Sequence, residues 1–363
     1  MSSLKYTPAV CIVGDNYQII YRTSSDGISY VEAGEKKYYE TNAGFIPAFR
    51  RIHKIVIPQT ELNEAGEYSL HFEECIDKKP YFPVKGPEEI YNFKFKSMNK
   101  KDDIKAFFVS DIHGKYDMAK GACLHFGDEL DLFIAAGDII DSSEKLEHID
   151  AYLGFLSDVT HGEIPVISIR GNHDTRGYCA EDFVDYIGTD GAVNTYYTFS
   201  FGPIGGVALD VGEDKWDDHP EYGGFNIFEH FREAETEFIQ KVKPLSDDCK
   251  YKIAICHMPI PTDNPPLDSP FRIEEEKLRI WTQELDRIGV SCLFAGHTHK
   301  IGVFEPNGEN DRFPHDYPVV VAAEINTKKE ERRFIGSALT FRNGRIYGEF
   351  INHEDQVVGK YEI

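Results

Sequence analysis

IPVISIRGNHD (residues 164–174) runs from an apolar stretch straight into a glycine, an amide, an imidazole and a carboxylate. An apolar run of this length is too short for a helix and reads as a strand buried on both faces. Gly171 ends it, and Asn172, His173 and Asp174 are side chains that can bind a metal or move a proton. Four more runs end the same way. IKAFFVS leads into Asp111-Ile112-His113, and LDLFIAA into Gly137-Asp138-Ile139-Ile140-Asp141. YKIAIC leads into His257, and SCLFAG into His297-Thr298-His299. Helical segments are expected from Glu144 to Val159, from Arg232 to Val242 and from Ile273 to Arg287. Buried strands alternating with helices predict a layered α/β domain with a partly parallel sheet. Ligands of such sheets bind outside the strand carboxyl ends, so five ends bring these side chains to one place.

Their chemistry suits two divalent ions. Imidazole and carboxylate ligands fit Mn, Fe or Zn rather than a thiolate-selected metal. The DxH and HxH spacings can aim two ligands at one ion where the chain leaves a sheet. Asn172 is a weak ligand alone and suggests a site already rich in charge. A glycine ahead of Asp138, Asn172 and His297 lets the backbone come close. None of these motifs is specific alone; the five in series, each after an apolar strand, carry the reading.

Upstream of about Ser97 the pattern changes to short strands broken by turn residues, among them YQIIYRTS, GISYVEA, HKIVIPQ and GEYSLHFEE. This predicts a small β-sandwich domain over residues 1–99, with MNKKDD (Met98–Asp103) as the junction to a second domain over 104–363. In the tail, Arg342–Arg345 reads as a hairpin turn. The net charge of -23 argues against general nucleic-acid binding but not against an anionic substrate at a local metal site. The N-terminus lacks the pattern of a secretory signal, and no apolar stretch is long enough to span a membrane. Seven cysteines without a CxxC pair read as reduced thiols, and the expected location is cytoplasmic, with no membrane association.

The series DxH, GDxxD, GNHD, H, GHxH resembles the calcineurin-like metallophosphoesterase family from about Lys105 onward. The resemblance implies a four-layer α/β/β/α sandwich behind the N-terminal all-β, fibronectin- or immunoglobulin-like sandwich. It implies a first ion on Asp111, His113, Asp138 and His299, and a second on Asp138, Asn172, His257 and His297. It also implies hydrolysis of phosphomonoesters or phosphodiesters by a metal-bridging hydroxide, with His173 as proton donor. Asp141 is expected to orient His173, and Arg176 to reach the phosphate of a small phosphorylated substrate. Asp174 is expected to shape the turn. The domain layout is similar to that of purple acid phosphatases. Those have a glycine at the position of His113 and a metal-binding tyrosine at that of Asp141, so no tyrosinate colour is expected. A cyclic-nucleotide or nucleotide pyrophosphate hydrolase of the same family is the alternative, and a non-catalytic metal-bound scaffold is a third reading. The N-terminal domain, without a catalytic cluster, is expected to pack or to bind an unknown partner.

Overall fold

A computed structural model describes residues 2–100, 102–309, 311–328 and 332–363. Lys101, in the expected junction, lies outside the described residues. The apolar runs form strands Ile104–Val109, Leu132–Ala136 and Pro165–Ile169, which pair in parallel within a ten-stranded sheet. Ile204–Leu209, Tyr251–Cys256, Cys292–Ala295 and Val319–Val321 form the parallel centre of a six-stranded sheet. The two sheets bury a common core that includes Ala106, Phe108, Ile134 and Ile167 from one, and Ala208, Ile255, Phe294 and Val320 from the other.

Helices cover the outer faces. Tyr116–Cys123 and Leu146–Thr160 place Ala119, Ala122, Tyr152 and Leu156 on the ten-stranded sheet. Phe228–Lys241 and Glu275–Ile288 place Ile239, Trp281 and Leu285 on the six-stranded one. The result is the expected α/β/β/α order. Tyr116–Cys123 has no counterpart in the sequence expectation, because Gly121 interrupts its pattern; a Cβ there would collide with the His353 carbonyl. Glu274 is buried, with Lys277 2.9 Å away and the Arg232 guanidinium at 3.6 Å.

The N-terminal region is antiparallel and strand-rich. Lys36–Tyr39, Gly27–Ala33, Glu67–Asp77 and Val84–Lys94 make a four-stranded sheet. Its Val31, Leu70 and Phe72 pack with Ile19, Tyr21, Ile55 and Ile57 of Asn16–Arg22 and Ile52–Pro58 as a sandwich. One feature departs from the expected division at residues 99 and 104. Strand Ala9–Val13, which the sequence reading passed over, pairs in parallel with Pro165–Ile169 and in antiparallel with Asn16–Arg22. Three N-terminal strands thereby continue the ten-stranded sheet, and no break in the hydrogen bonding falls at the expected boundary. The physical reason is that all five side chains of Ala9–Val13 are buried, which requires neighbours on both faces and both edges.

Candidate metal centre

The strand-end segments interlock before any ligand is considered. The amide of Asp111 donates to Gly137 O (3.1 Å), that of His113 to Asp138 O (2.9 Å), and that of Gly296 to His257 O (2.9 Å). Asp111 carboxylate oxygens accept from the His297 amide (2.9 and 3.1 Å), and Asp138 Oδ1 accepts from the His173 amide (2.8 Å). Glycine permits this closeness: a Cβ on Gly171 would collide with the Asp138 carboxylate, and one on Gly296 with that of Asp111. The backbone is left-handed at Asp111 (φ 56°), His113 (47°), Asp138 (52°), His297 (67°) and His299 (53°). Each such residue costs on the order of 1–3 kcal/mol, and strain of this kind gathers at functional sites.

Asp111 and Asp138 are buried and face imidazoles. His299 Nε2 lies 3.1 Å from Asp111 Oδ1, and His257 Nε2 lies 3.2 Å from Asp138 Oδ2. His113 Nε2 is 3.2 Å from His299 Nε2, and His297 Nδ1 is 3.1 Å from Asn172 Oδ1. All seven expected ligands therefore belong to one connected cluster. His257 Nδ1 donates to Ala136 O (2.9 Å) beside Ser110 Oγ (3.1 Å), which fixes the ring orientation and leaves Nε2 buried without a hydrogen bond. Burial works against charge on His257, yet Asp138 and Asp111 outweigh it and push its pKa up to about 10. His299 is raised in the same way by Asp111, while burial lowers His113 and His297. Both carboxylates stay below their ordinary range despite burial, Asp111 beside His257 and His299, Asp138 chiefly through His257. Buried carboxylates, converging imidazoles and an unbonded Nε2 fit a cation site. Asp111, His113 and His299 form one compact candidate group, and Asp111, Asp138 and His257 another.

Two of the expected residues make contacts other than those read from the sequence. His173 Nδ1 lies 2.9 Å from the backbone carbonyl of Asp141, whose carboxylate is instead 3.6 Å from His113 Nδ1 and largely exposed. It is the main chain of Asp141, not its carboxylate, that meets His173. Arg176 does not extend freely towards phosphate: its Nε and Nη2 hold Glu213 (2.7–3.1 Å) and Nη2 also holds Asp214 (3.0 Å). Its Nη1 nevertheless lies 3.4 Å from His173 Nε2.

Asp174 shapes its turn as expected, and two further groups, Asp214 and Arg232, position the site from outside the five motifs. Asp174 Oδ2 accepts from the amides of both Asp138 (2.8 Å) and Gly171 (2.7 Å), clamping two ligand loops, and burial followed by the Asp138 charge pushes its pKa up to about 8. Asp214 Oδ2 lies 3.4 Å from Asn172 Nδ2. Arg232, fully buried, donates to Val211 O (2.9 Å) and Glu213 O (2.7 Å), and so fixes the loop that grips Arg176. The signal for Glu213 and Asp214 was present, because they follow strand Ile204–Leu209 at another parallel carboxyl end.

Fold and cluster together give a layered α/β sandwich with a candidate cation site at its strand ends. A family model described as calcineurin-like phosphoesterase matches residues 104–301, and the chain belongs to that family. No curated protein matches the chain. Among solved structures, the chain is similar to the purple acid phosphatase PPD1 from seeds of yellow lupin (Lupinus luteus), at 14% identity and a TM-score of 0.64. That likeness covers 99% of this chain and 74% of the lupin chain. A structure of PhoD is similar at 10% identity and a TM-score of 0.50, covering 98% of this chain and 88% of that one. At these identities the likenesses show the fold. Among the described residues no helix is long and apolar enough to cross a membrane.

Proposed function

We propose that the protein hydrolyses phosphomonoesters or phosphodiesters of small molecules with two divalent ions, Mn, Fe or Zn. The observation that supports this best is the pair of buried carboxylates, Asp111 and Asp138, met by imidazoles from two further strand ends. One ion would take Asp111, His113, Asp138 and His299, and the other Asp138, Asn172, His257 and His297. Bound there, the ions would supply the charge that lowers the pKa of water and neutralises phosphoryl oxygens.

The chain's own residues do the rest. The backbone bonds at Asp111 and Asp138 hold the ligands before anything binds, so little reorganisation remains. With Nδ1 of His173 spent on the Asp141 carbonyl, Nε2 is the nitrogen left to hand a proton to the departing oxygen. Arg176, fixed by Glu213, sets the charge beside that nitrogen. Seven free cysteines support a cytoplasmic location. The four-stranded N-terminal sheet contributes no residue to the cluster and is the part available to recognise a partner.

The test is hydrolysis of a chromogenic monoester and a chromogenic diester by metal-stripped and metal-reconstituted protein. Turnover should require metal and fall about 10²–10⁴-fold in His173→Ala, with two ions per chain retained. Turnover by stripped protein, or full activity of His173→Ala, would overturn the reading.

A further inference from the structure

We infer that a cavity beside His173 is a leaving-group subsite for a planar aromatic alcohol without an anionic group, clasped by Tyr178 and Phe225. This rests on the proposed hydrolase reading and adds the class of ester. The cavity holds about 840 Å³, within the usual span for sites that enclose an organic ligand. Arg176 forms part of its wall, and the same guanidinium reaches to 3.4 Å from His173 Nε2. Arg176 thus joins the cavity wall to His173, which is not itself part of the lining.

Two rings in its lining are exposed. Tyr178 is 89% exposed and Phe225 92%, and neither has a ring or cation partner among the described residues. The other aromatic walls are engaged: Phe228 lies under Arg170 (5.7 Å) and Arg232 (6.0 Å), and Tyr222 under Lys215 (5.8 Å).

The free rings stand on pinned backbone. Ser143 N donates to Arg176 O (2.7 Å) and Cys179 N to Ser143 O (2.9 Å), bracketing Tyr178. Gly177 between them has φ 123°, and a Cβ there would collide with Glu144 N. Phe225 N donates to Tyr222 O (3.2 Å), and the Tyr222 hydroxyl donates to Glu213 Oε2 (2.9 Å). Glu213 thus anchors both the Phe225 turn and Arg176, coupling the ring to the guanidinium beside His173. Exposed rings on fixed loops suit stacking, because little ordering is left to be done on binding.

Charge narrows the occupant. The lining cations are committed, Arg170 to Asp210 (2.8 Å) and Arg176 to Glu213. Glu181 has no ionic partner among the described residues, and Glu221 shares Lys215 (3.2 Å). A second phosphate or a carboxylate on the leaving group would meet uncompensated acid.

The experiment compares 2-naphthyl phosphate with glycerol phosphate on the metal-reconstituted full chain and on its Tyr178→Ala/Phe225→Ala double variant. The ratio of kcat/KM for the aromatic over the aliphatic ester should fall about tenfold in the variant, mainly through KM. An unchanged ratio overturns the proposal while leaving the hydrolase reading intact. Binding of 2-naphthol to metal-stripped protein, followed by its own fluorescence, needs no turnover. Saturable binding that the double variant weakens about tenfold supports the subsite even if neither ester is cleaved, in which case only the hydrolase reading falls. Absent binding, or binding insensitive to the variant, overturns it. A naphthol sulfonate should bind wild type at least tenfold more weakly than 2-naphthol; equal binding overturns the assignment of an uncharged occupant.

Discussion

Removing residues 1–99 tests whether the catalytic layers stand without the N-terminal strands. The cut takes away Ala9–Val13, the parallel neighbour of Pro165–Ile169, whose end carries Asn172 and His173. Val10 and Ile12 are fully buried and Val13 nearly so. At about 1.5–3 kcal/mol for each buried branched side chain, these three alone contribute ~5–9 kcal/mol. That rivals the ~5–15 kcal/mol by which a typical folded chain is stable. The cut also exposes the backbone edge of Pro165–Ile169 and the Tyr197 side of the inter-sheet core, an invitation to aggregate. A fragment spanning residues 100–363 should therefore aggregate or lack cooperative unfolding, and should not hold two ions. Size-exclusion chromatography, thermal unfolding and metal stoichiometry check this. In the full chain, Ile12→Ala should cost about 2–5 kcal/mol in denaturant unfolding. A monomeric fragment that unfolds cooperatively and retains two ions per chain would refute the reasoning and restore a self-contained domain at 104–363.

Asp174→Ala would strand the buried amides of Asp138 and Gly171, at about 1–3 kcal/mol each. It should lower stability by ~2–6 kcal/mol and weaken metal retention by loosening two ligand loops together, measured by denaturant unfolding and ion content. Lys54 is half-buried, with its ammonium on Val184 O (2.8 Å) and Thr189 Oγ1 (3.0 Å), and desolvation lowers its pKa to about 8. The unfolded chain keeps this proton up to about 10.4, so between those values it binds more protons than the folded chain, and the Lys54 contribution to stability rises with pH. Any advantage of Lys54→Met over wild type should thus shrink from pH 8 to pH 10, by at most about 1.4 kcal/mol per unit; a pH-independent difference in urea unfolding contradicts this.

The sequence by itself determined the strand-end cluster of Asp, Asn and His side chains. Each of its five motifs is local, an apolar run followed within a few residues by Asp, Asn or His, and α/β geometry sends such ends to one edge of the layers. The Arg342–Arg345 turn was legible for the same reason and closes the hairpin Arg333–Arg342 and Arg345–Asn352, with Asn343 and Gly344 both at positive φ. Ala9–Val13 carries the same kind of apolar run, but its partner lies some 150 residues away and nothing local names it. Only the tertiary structure decided which atom of Asp141 meets His173, that Arg176 is spent on Glu213, and that Asp174 bridges two loops. Residue type limits what a side chain can donate or accept. Which partner it meets depends on how distant segments pack, and that is settled when the strands pair and the layers close.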